Sequence, residues 1–212
     1  MRLPLAREGL LFVLPSLFLS LLCCFLHIYS LAIIFFLLFL FFLYFFRNPK
    51  RSAAAADDEL ISPADGKVMA VEELFEAGFI REKIRRISVF MSVSDVHVNR
   101  APCEGCVEKV EHRDGGFKLA FKKGIDDENE RNYIVVRRGD ERFLIVQIAG
   151  FLARRIICYV READEVKKGE TIGMIAFGSR VDLYMPTHYE TAVEPGQKVK
   201  AGLTKIARRT AV

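Results

Sequence analysis

The hydrophobic and polar positions of this chain divide it into two parts. Residues 9–46 contain no Asp, Glu, Lys or Arg, whereas the chain from residue 48 onward is rich in charge. A membrane-spanning helix needs about 20 apolar residues, and the apolar stretch is nearly twice that long. Polarity returns briefly at HIYS, residues 27–30, so the pattern predicts two spans, at about 9–26 and 30–46. A single tilted span with an interfacial extension stays open as the alternative.

Positive residues flank the apolar part on both sides, namely Arg2, Arg7, Arg47, Lys50 and Arg51. Positively charged flanks tend to stay in the cytoplasm, so both ends of the apolar part are predicted to lie there. We expect an N-terminal membrane hairpin over residues 1–47, a flexible linker over 48–58, and a folded domain over 59–212. This domain is expected at the cell membrane, on its cytoplasmic face.

The second part of the chain consists of short apolar or alternating runs separated by Gly, Asp and Pro, such as GKVMAVEEL, RISVFMSV and NYIVVRRG. Runs of β-branched and apolar residues between turn residues are typical of strands. The run FLIVQIA is apolar nearly throughout, as in a strand that is buried on both faces. We therefore predict a mainly β (α+β) protein, with a β-rich sandwich or barrel-like domain after a two-helix transmembrane hairpin.

Charge and cysteine content narrow the class of protein. The net charge of the 212-residue chain is +4, which is too small to indicate a nucleic-acid partner and suits an anionic membrane only weakly. Five cysteines without a secretory cleavage pattern fit a reducing cytoplasm. Cys103 and Cys106 have the spacing of a metal-binding pair, but the sequence holds no second pair, so no metal site is predicted.

Three stretches carry the candidate chemistry: SPADG (62–66), SDVHVNRAPCEG (94–105) and FGSR (177–180). Together, and in this order, they resemble the phosphatidylserine decarboxylase family in its short membrane-anchored form. The similarity covers essentially the whole chain. The Gly-Ser dipeptide alone has no diagnostic value, but its combination with the upstream Asp and His motifs is specific. The resemblance implies a zymogen that cleaves itself between Gly178 and Ser179.

The implied cleavage yields a β chain, residues 1–178, and an α chain, residues 179–212, which form a heterodimer. Ser179 attacks the preceding carbonyl, and elimination and hydrolysis convert it to a covalent pyruvoyl group. Gly178 has no Cβ, so it tolerates strained backbone angles at this bond. The pyruvoyl ketone forms a Schiff base with phosphatidylserine in the membrane and releases CO₂ to give phosphatidylethanolamine. No external cofactor and no metal are implied.

The resemblance also suggests the groups that assist Ser179. His97 is the predicted base for this weak nucleophile, and Asp65 is predicted to orient the imidazole ring. Longer relatives are expected to have a second His where this chain has Arg100. Whether His97 serves cleavage, decarboxylation or both therefore stays open.

Several cations are candidates to pair with the lipid phosphate or the serine carboxylate, namely Arg154, Arg155 and Arg180. Ordinary solvated surface positions are an equal alternative for each of them. The oligomeric state is left open, with a homo-oligomer as one option, and no nucleic acid is expected as a partner.

Two other functions stay open. An archaeal serine ether lipid is an alternative substrate, because only the head group takes part in the reaction. The similarity between VKKGETI (166–172) and VKAGLTK (199–205) favours a membrane-tethered binding module or a carrier of the biotinyl or lipoyl type. The corresponding segment DLYMP lacks the exposed lysine that such a carrier needs.

Overall fold

The computed structural model describes residues 4–116, 129–150, 155–176 and 179–210. The chain forms two compact units, Met1–Lys50 and Arg51–Val212. The first unit contains a 3-10 turn, Arg7–Gly9, and two helices, α1 (Leu10–Phe25) and α2 (Tyr29–Phe45). Neither α1 nor α2 contains a charged residue.

The two helices pack against each other as an antiparallel pair. Ser20 Oγ in α1 donates a hydrogen bond to the Ala32 carbonyl oxygen in α2 at 2.9 Å, and Phe12 stacks on Phe46 with ring centroids 5.3 Å apart. The segment Arg7–Phe25, with 19 residues and a mean hydropathy of 2.1, is long and apolar enough to cross a membrane. Helix α2 has 17 residues and is about 25 Å long, slightly less than the hydrocarbon core.

The second unit is built almost entirely from strands. The described residues form β1 (Glu59–Ile61), β2 (Gly66–Glu76), β3 (Glu82–Met91), β4 (Val98–Arg100), β5 (Gly105–Arg113), β6 (Arg131–Arg138), β7 (Glu141–Ile148), β8 (Ile156–Cys158), β9 (Glu165–Val166), β10 (Thr171–Ile175), β11 (Ser179–Pro186), β12 (Tyr189–Thr191), β13 (Lys198–Val199) and β14 (Lys205–Arg209). The predicted class, β-rich with two N-terminal helices, is confirmed.

The strands form one large sheet and two small ones. The large sheet has eight strands in the order β13-β2-β3-β11-β7-β6-β5-β9, and the small sheets have the orders β1-β14-β12 and β4-β10-β8. All the pairings in the three sheets are antiparallel. One face of the large sheet packs with residues of both small sheets in a single apolar core; we call it the inner face, and the opposite one the outer face.

Strand β7 is buried on both faces, as the apolar run FLIVQIA predicts. Phe143 and Ile145 belong to the core on the inner face, whereas Leu144, Val146 and Ile148 belong to a smaller apolar cluster on the outer face. Successive side chains of a strand point to opposite faces, so a strand that is covered on both sides must be apolar at almost every position.

Strand β11 follows the same alternation and thereby separates two neighbouring polar residues. Val181 and Leu183 lie in the core on the inner face, so Ser179 faces the same way. Arg180 and Asp182 point to the outer face. This alternation decides which side chains can meet Ser179.

Part of the segment predicted as a flexible linker, 48–58, contacts the rest of the second unit. Arg51 belongs to the second unit, and its side chain is only 8% exposed. Lys168 Nζ donates a hydrogen bond to the Ala56 carbonyl oxygen at 2.5 Å. The run KRSAAAADD contains no local packing signal, and the contacts that hold it come from residues far away in the sequence.

Candidate active site

The row of residues at one end of the large sheet brings two of the three motifs close together. Met91, the last residue of β3, lies opposite Ser179, the first residue of β11. Its neighbour Phe90 lies opposite the second residue of β2, so Gly66 at the start of β2 is level with Met91. Adjacent strands are about 4.8 Å apart, which places Gly66 roughly 10 Å from Ser179. Asp65 directly precedes this row.

Glycine is required at the end of the SPADG motif. Gly66 has a φ angle of 152°, and a Cβ at this position would collide with the carbonyl oxygen of Phe90. The close approach of the two backbones lets the chain enter β2 immediately after Asp65.

The SDVHVNRAPCEG motif connects to both of the others through its backbone. The Ile175 N–H donates to the His97 carbonyl oxygen at 3.2 Å, and the Arg100 N–H donates to the Pro63 carbonyl oxygen at 2.9 Å. One of these bonds reaches the strand just before the predicted cleavage point, and the other reaches the SPADG loop. The structure thus brings the three motifs together at one end of the sheet.

Ser179 is fully buried, and its hydroxyl is unusual for a buried polar group. Its exposure is 0%, and Oγ has no hydrogen-bond partner among the described residues. Buried polar side chains nearly always have a partner, because an unmade hydrogen bond costs about 1–3 kcal/mol. An unpartnered buried hydroxyl is therefore a candidate for a chemical role.

His97 is buried beside a tight turn that links it to the end of β3. The Asp95 carboxylate accepts hydrogen bonds from the Ser92 N–H at 2.8 Å and from Ser92 Oγ at 2.7 Å. His97 Nδ1 lies 2.9 Å from the carbonyl oxygen of Asp95. A carbonyl oxygen only accepts hydrogen bonds, so Nδ1 carries the proton and the neutral ring has its lone pair on Nε2.

Asp65 has different partners from those expected. Within the described ranges it accepts hydrogen bonds from both terminal nitrogens of Arg51, with Nη2 at 2.8 Å, and from the Ala201 N–H at 2.7 Å, but none from His97. Arg51 also donates to the Ala201 carbonyl oxygen at 2.7 Å. In the sequence Arg51 stands out only as a charge that flanks the apolar segment, and the residues around it contain no signal of this pairing.

Arg100 occupies the position where a second histidine is expected in longer relatives, and it is buried close to Asp65. Its Nη1 donates to the Gly169 carbonyl oxygen at 2.9 Å. Burial lowers the pKa of Arg100, the charge of Arg51 lowers it further, and Asp65 acts in the opposite direction. Asp65 therefore lies between two guanidinium groups and offsets part of their positive charge.

Arg180, a candidate for substrate binding, faces away from Ser179. Its Nη2 donates to Asp182 Oδ2 at 2.8 Å on the outer face, and Asp182 is only 1% exposed. Burial raises the pKa of Asp182, although the Arg180 charge and a hydrogen bond from Ser88 act in the opposite direction. Arg154, another cation predicted to bind the substrate, lies outside the described residues, as does Gly178. Arg155 is described and exposed.

No group of three or more His, Cys, Asp or Glu side chains that could hold a metal ion occurs in the part of the chain that the structure describes. Burial raises the pKa of the Cys103 thiol to about 12. The thiolate is the form that binds metals, so Cys103 is poorly suited as a ligand.

Comparison with known proteins identifies the family. A sequence model described as phosphatidylserine decarboxylase matches residues 38–207. The chain belongs to the phosphatidylserine decarboxylase family. The matched range includes SPADG, SDVHVNRAPCEG and FGSR, the three motifs that the fold assembles at one end of its large sheet.

Similar proteins carry the name phosphatidylserine decarboxylase proenzyme. The one from Carboxydothermus hydrogenoformans is 46% identical over 162 residues, which is 76% of each chain. The one from Syntrophus aciditrophicus is 42% identical over 200 residues, covering 93% of this chain and 94% of its own. The one from Symbiobacterium thermophilum is 40% identical over 210 residues, covering 98% of this chain and 97% of its own.

These matches confirm the predicted family and, with it, phosphatidylserine decarboxylase function. The relatives' designation as proenzymes agrees with the predicted zymogen. The matches favour neither the archaeal ether-lipid substrate nor the carrier module.

Proposed function

We propose that this chain cleaves its own backbone between Gly178 and Ser179 and thereby becomes a pyruvoyl-dependent phosphatidylserine decarboxylase. The products are a β chain, residues 1–178, and an α chain, residues 179–212. The observation that carries the proposal is the fully buried Ser179 hydroxyl, which has no partner among the described residues and lies at the first position of β11.

Cleavage begins when Ser179 Oγ attacks the carbonyl carbon of the preceding residue. The C–O bond forms, the C–N bond breaks, and the hydroxyl proton ends on the freed nitrogen, so that the amide becomes an ester. Elimination then removes the Cα proton of residue 179 to a base and expels the carboxylate of the β chain, which leaves a Cα=Cβ double bond. A proton returns to Cβ, and one water molecule replaces the nitrogen at Cα, which leaves as ammonia, so that a ketone remains. The attacking hydroxyl gives up no hydrogen bond to a described residue, which favours its reaction.

His97 is the proposed base. The hydrogen bond to the Asp95 carbonyl oxygen keeps the proton of the neutral ring on Nδ1, so Nε2 is the nitrogen that can accept a proton. The same nitrogen can afterwards return a proton to the product. The backbone bond from Ile175 holds His97 next to the strand that leads to Ser179.

Asp65 is proposed to act through other groups. Its ion pair with Arg51 and its bond from Ala201 hold the SPADG loop in place. The same carboxylate partly neutralises Arg51 and Arg100, which lie in the interior beside the site. Asp65 is thus proposed as a positioning residue for the motif, while the Asp95 carbonyl oxygen bonds to the His97 ring.

The substrate presents a phosphate and a carboxylate, which suit arginine side chains. Contacts of Arg154 and Arg180 with these two groups of the substrate remain predictions. For Arg180, the pair with Asp182 on the outer face has to open before it can serve a substrate beside Ser179. The pyruvoyl group supplies the electron sink for the electron pair that departing CO₂ leaves behind.

The two cleavage products are proposed to stay together as a heterodimer. In the uncut chain β11 lies between β3 and β7, and β14 lies between β1 and β12. Both central strands belong to the α chain, so its release would require two sheets to come apart. The second unit is proposed to lie on the cytoplasmic side of the membrane, on the basis of the positive residues that flank the apolar segment.

Intact mass spectrometry of the full chain tests this proposal. We expect an α chain that is lighter than the encoded peptide 179–212 by one ammonia and that reacts with a carbonyl reagent. Ser179→Ala should stay uncut and inactive. Ser179→Thr keeps a hydroxyl, so it should still be cut, more slowly, and give an α chain that is one methylene heavier. Decarboxylation by uncut Ser179→Ala protein would refute the proposal.

A further inference from the structure

A chain of three buried amide side chains runs across the inner face of the large sheet toward Ser179. Asn132 Nδ2 donates to Gln147 Oε1 at 2.9 Å, and Gln147 Nε2 donates to Asn99 Oδ1 at 2.8 Å. Asn99 Nδ2 then lies 3.6 Å from the sulfur of Met91. We call these three amides the amide relay; none of them is more than 1% exposed.

The register of the sheet places two members of this path, Met91 and Gln147, on the two strands that flank β11. Met91 lies directly opposite Ser179 on β3. On the other flank, Gln147 in β7 lies opposite Val181, two residues along β11 from Ser179. Ser179, Val181 and their directly opposite partners share one face. The relay therefore passes over the inner face of β11 from β7 to β3 and reaches Met91, the residue directly opposite Ser179.

The fold reserves space for the relay. Gly173 in β10 lies opposite Asn99 in β4. A Cβ at residue 173 would be 2.7 Å from Gln147 Nε2 and 2.6 Å from the carbonyl oxygen of Ile157. Glycine at 173 therefore lets the Gln147 side chain reach Asn99 without a clash.

The last donor of the relay has a poor partner. A thioether sulfur is a weak acceptor, whereas the other two bonds of the relay join amide nitrogen to amide oxygen. Gln147 donates to Asn99 Oδ1, so the Asn99 amide must present its nitrogen toward Met91 and Ser179. Hydrogen bonds in a chain polarise one another, which makes this final N–H a better donor for an oxygen that becomes negative.

We propose that Asn99 Nδ2 donates the hydrogen bond that stabilises the acyl oxygen at the cleavage point when Ser179 attacks. Asn99 is then a catalytic residue of maturation, and Gln147 and Asn132 are positioning residues that set the direction of its amide. The inference rests on the self-cleavage proposed above, and it concerns the first step only, in which the peptide becomes an ester.

The chemistry of this step explains why a donor is needed there. As the C–O bond forms, the electron pair of the carbonyl moves onto its oxygen, and it returns when the C–N bond breaks. If the Asn99 N–H leaves the Met91 sulfur and bonds to this oxygen, the new hydrogen bond becomes stronger as negative charge develops on the oxygen. Removal of one such donor typically slows a reaction about 100- to 1000-fold.

The first test follows the appearance of the α chain from freshly synthesised full-length protein. Asn99→Ala, and the isosteric Asn99→Asp at a pH where its carboxyl group is ionised, should each mature about 100-fold more slowly than the wild type, because both then lack the donor. Hydroxylamine, which cleaves esters and leaves amides intact under mild conditions, should not release the α chain from either variant. Release by hydroxylamine would show that the ester forms without Asn99 and would overturn the inference.

The second test concerns the direction of the amide. Gln147→Glu keeps the size of the side chain but, when ionised, cannot donate to Asn99 Oδ1. The Asn99 amide should then turn its nitrogen toward residue 147, and maturation should be as slow as in Asn99→Ala. Burial raises the pKa of a carboxyl group, so at lower pH the protonated Glu recovers a donor. Its maturation rate relative to the wild type should therefore rise as pH falls, and a constant ratio would contradict the inference.

A control separates these effects from a general loss of stability. Val136→Ala removes buried apolar volume from β6, the strand that carries Asn132, and leaves the relay intact. It should lower the unfolding temperature and leave the maturation rate of folded protein unchanged.

The outcomes distinguish this inference from the proposal on which it rests. If the wild type gives an α chain and Asn99→Ala gives it equally fast, the role of Asn99 is refuted and self-cleavage stands. If the wild type gives no carbonyl-bearing α chain, both are refuted.

Discussion

Two polar clusters at the large sheet, one partly exposed around Glu141 and one fully buried around Ser179, differ in how completely their hydrogen bonds are made. Around Glu141, at the start of β7, His188 Nε2 lies at 2.6 Å, the Tyr189 hydroxyl donates at 2.9 Å, and Arg138 Nη2 donates at 3.2 Å. Around Ser179, the hydroxyl has no described partner, and Asn99 donates to sulfur. A complete network stabilises the fold, whereas an incomplete one that is more deeply buried indicates chemistry.

The electrostatics of the Glu141 cluster support its structural role. Burial opposes ionisation of Glu141, but the hydrogen bonds from His188, Tyr189 and Arg138 outweigh it and lower the pKa of this carboxyl group. Burial also raises the pKa of Tyr189, with a smaller opposite effect from Arg138. The charged carboxylate and the neutral phenol are thus the stable forms, and neither is poised to exchange protons near neutral pH.

The largest effect on activity is expected from substitution of His97, with His188 of the other cluster as the comparison. His97→Ala should slow maturation, turnover or both by about 100-fold or more, since it removes the proposed base. His188→Ala is the matched control and should leave both rates near those of the wild type. Gel analysis of α-chain formation and CO₂ release measure the two steps. Equal rates for His97→Ala and the wild type would remove His97 from the site.

The second largest effect is expected from breaking the ion pair between Arg51 and Asp65. Arg51→Ala leaves a buried carboxylate without its bidentate partner, and loss of one partner of a buried pair costs about 3 to 5 kcal/mol. We expect a correspondingly lower free energy of unfolding and poor maturation. Arg51→Lys keeps the charge but loses the bidentate geometry, so its free energy of unfolding should lie between those of the wild type and Arg51→Ala. Urea titration provides the measurement. Stability unchanged in Arg51→Ala would show that residues 51–58 are a free linker after all.

A smaller effect on stability, with a defined pH dependence, is expected at Glu141. Glu141→Gln should lose about 2 kcal/mol near neutral pH, the usual contribution of hydrogen bonds to a charged group. The pKa is lower in the folded state than the ordinary 4.5, so the ionised group stabilises the protein above that value. This contribution is lost as pH falls through the folded pKa.

Urea titrations at several pH values test this expectation. The difference between the wild type and Glu141→Gln should shrink below about pH 4, while maturation at neutral pH stays normal in the variant. A difference that grows on acidification would contradict the expected sign.

The smallest effect is expected from Tyr189→Phe, which removes one hydroxyl from the complete cluster and keeps the ring against Phe143. The loss should be about 1 kcal/mol, as for a typical single hydrogen bond. Thermal unfolding measures it, and α-chain formation should not change. A clear maturation defect would show that the two clusters are coupled and that the Glu141 cluster does not have a purely structural role.

Much of the fold could be predicted because its signals are local. The absence of charge over residues 9–46 predicts the two apolar helices, and the run FLIVQIA predicts the buried strand β7. The motif residues Ser179, His97 and Asp65 could be selected by resemblance alone. Their partners could not, since Arg51 lies in a stretch of small residues whose local sequence suits a linker.

The pairing of the three amides in the amide relay could not be predicted from the sequence either. A single polar residue within FLIVQIA is a visible signal for Gln147, because a strand that is buried on both faces rarely carries an amide. Nothing in the sequence pairs it with Asn99 and Asn132, which come from β4 and β6. The pairing depends on the strand order and on the space left by Gly173.

By itself, the amino-acid sequence determined the class of each segment, the β-rich fold, the family and the serine at which chemistry is expected, because hydrophobic period, length and motif spacing are properties of the chain alone. Only the tertiary structure decided that Ser179 faces inward and Arg180 outward, that Arg51 holds Asp65, and that three amides form a chain that reaches Met91, the residue opposite Ser179. The physical reason is register. A side chain's face and neighbours are set by which strands pair and at which residue, and a shift of one position would send every side chain of a strand to the opposite face.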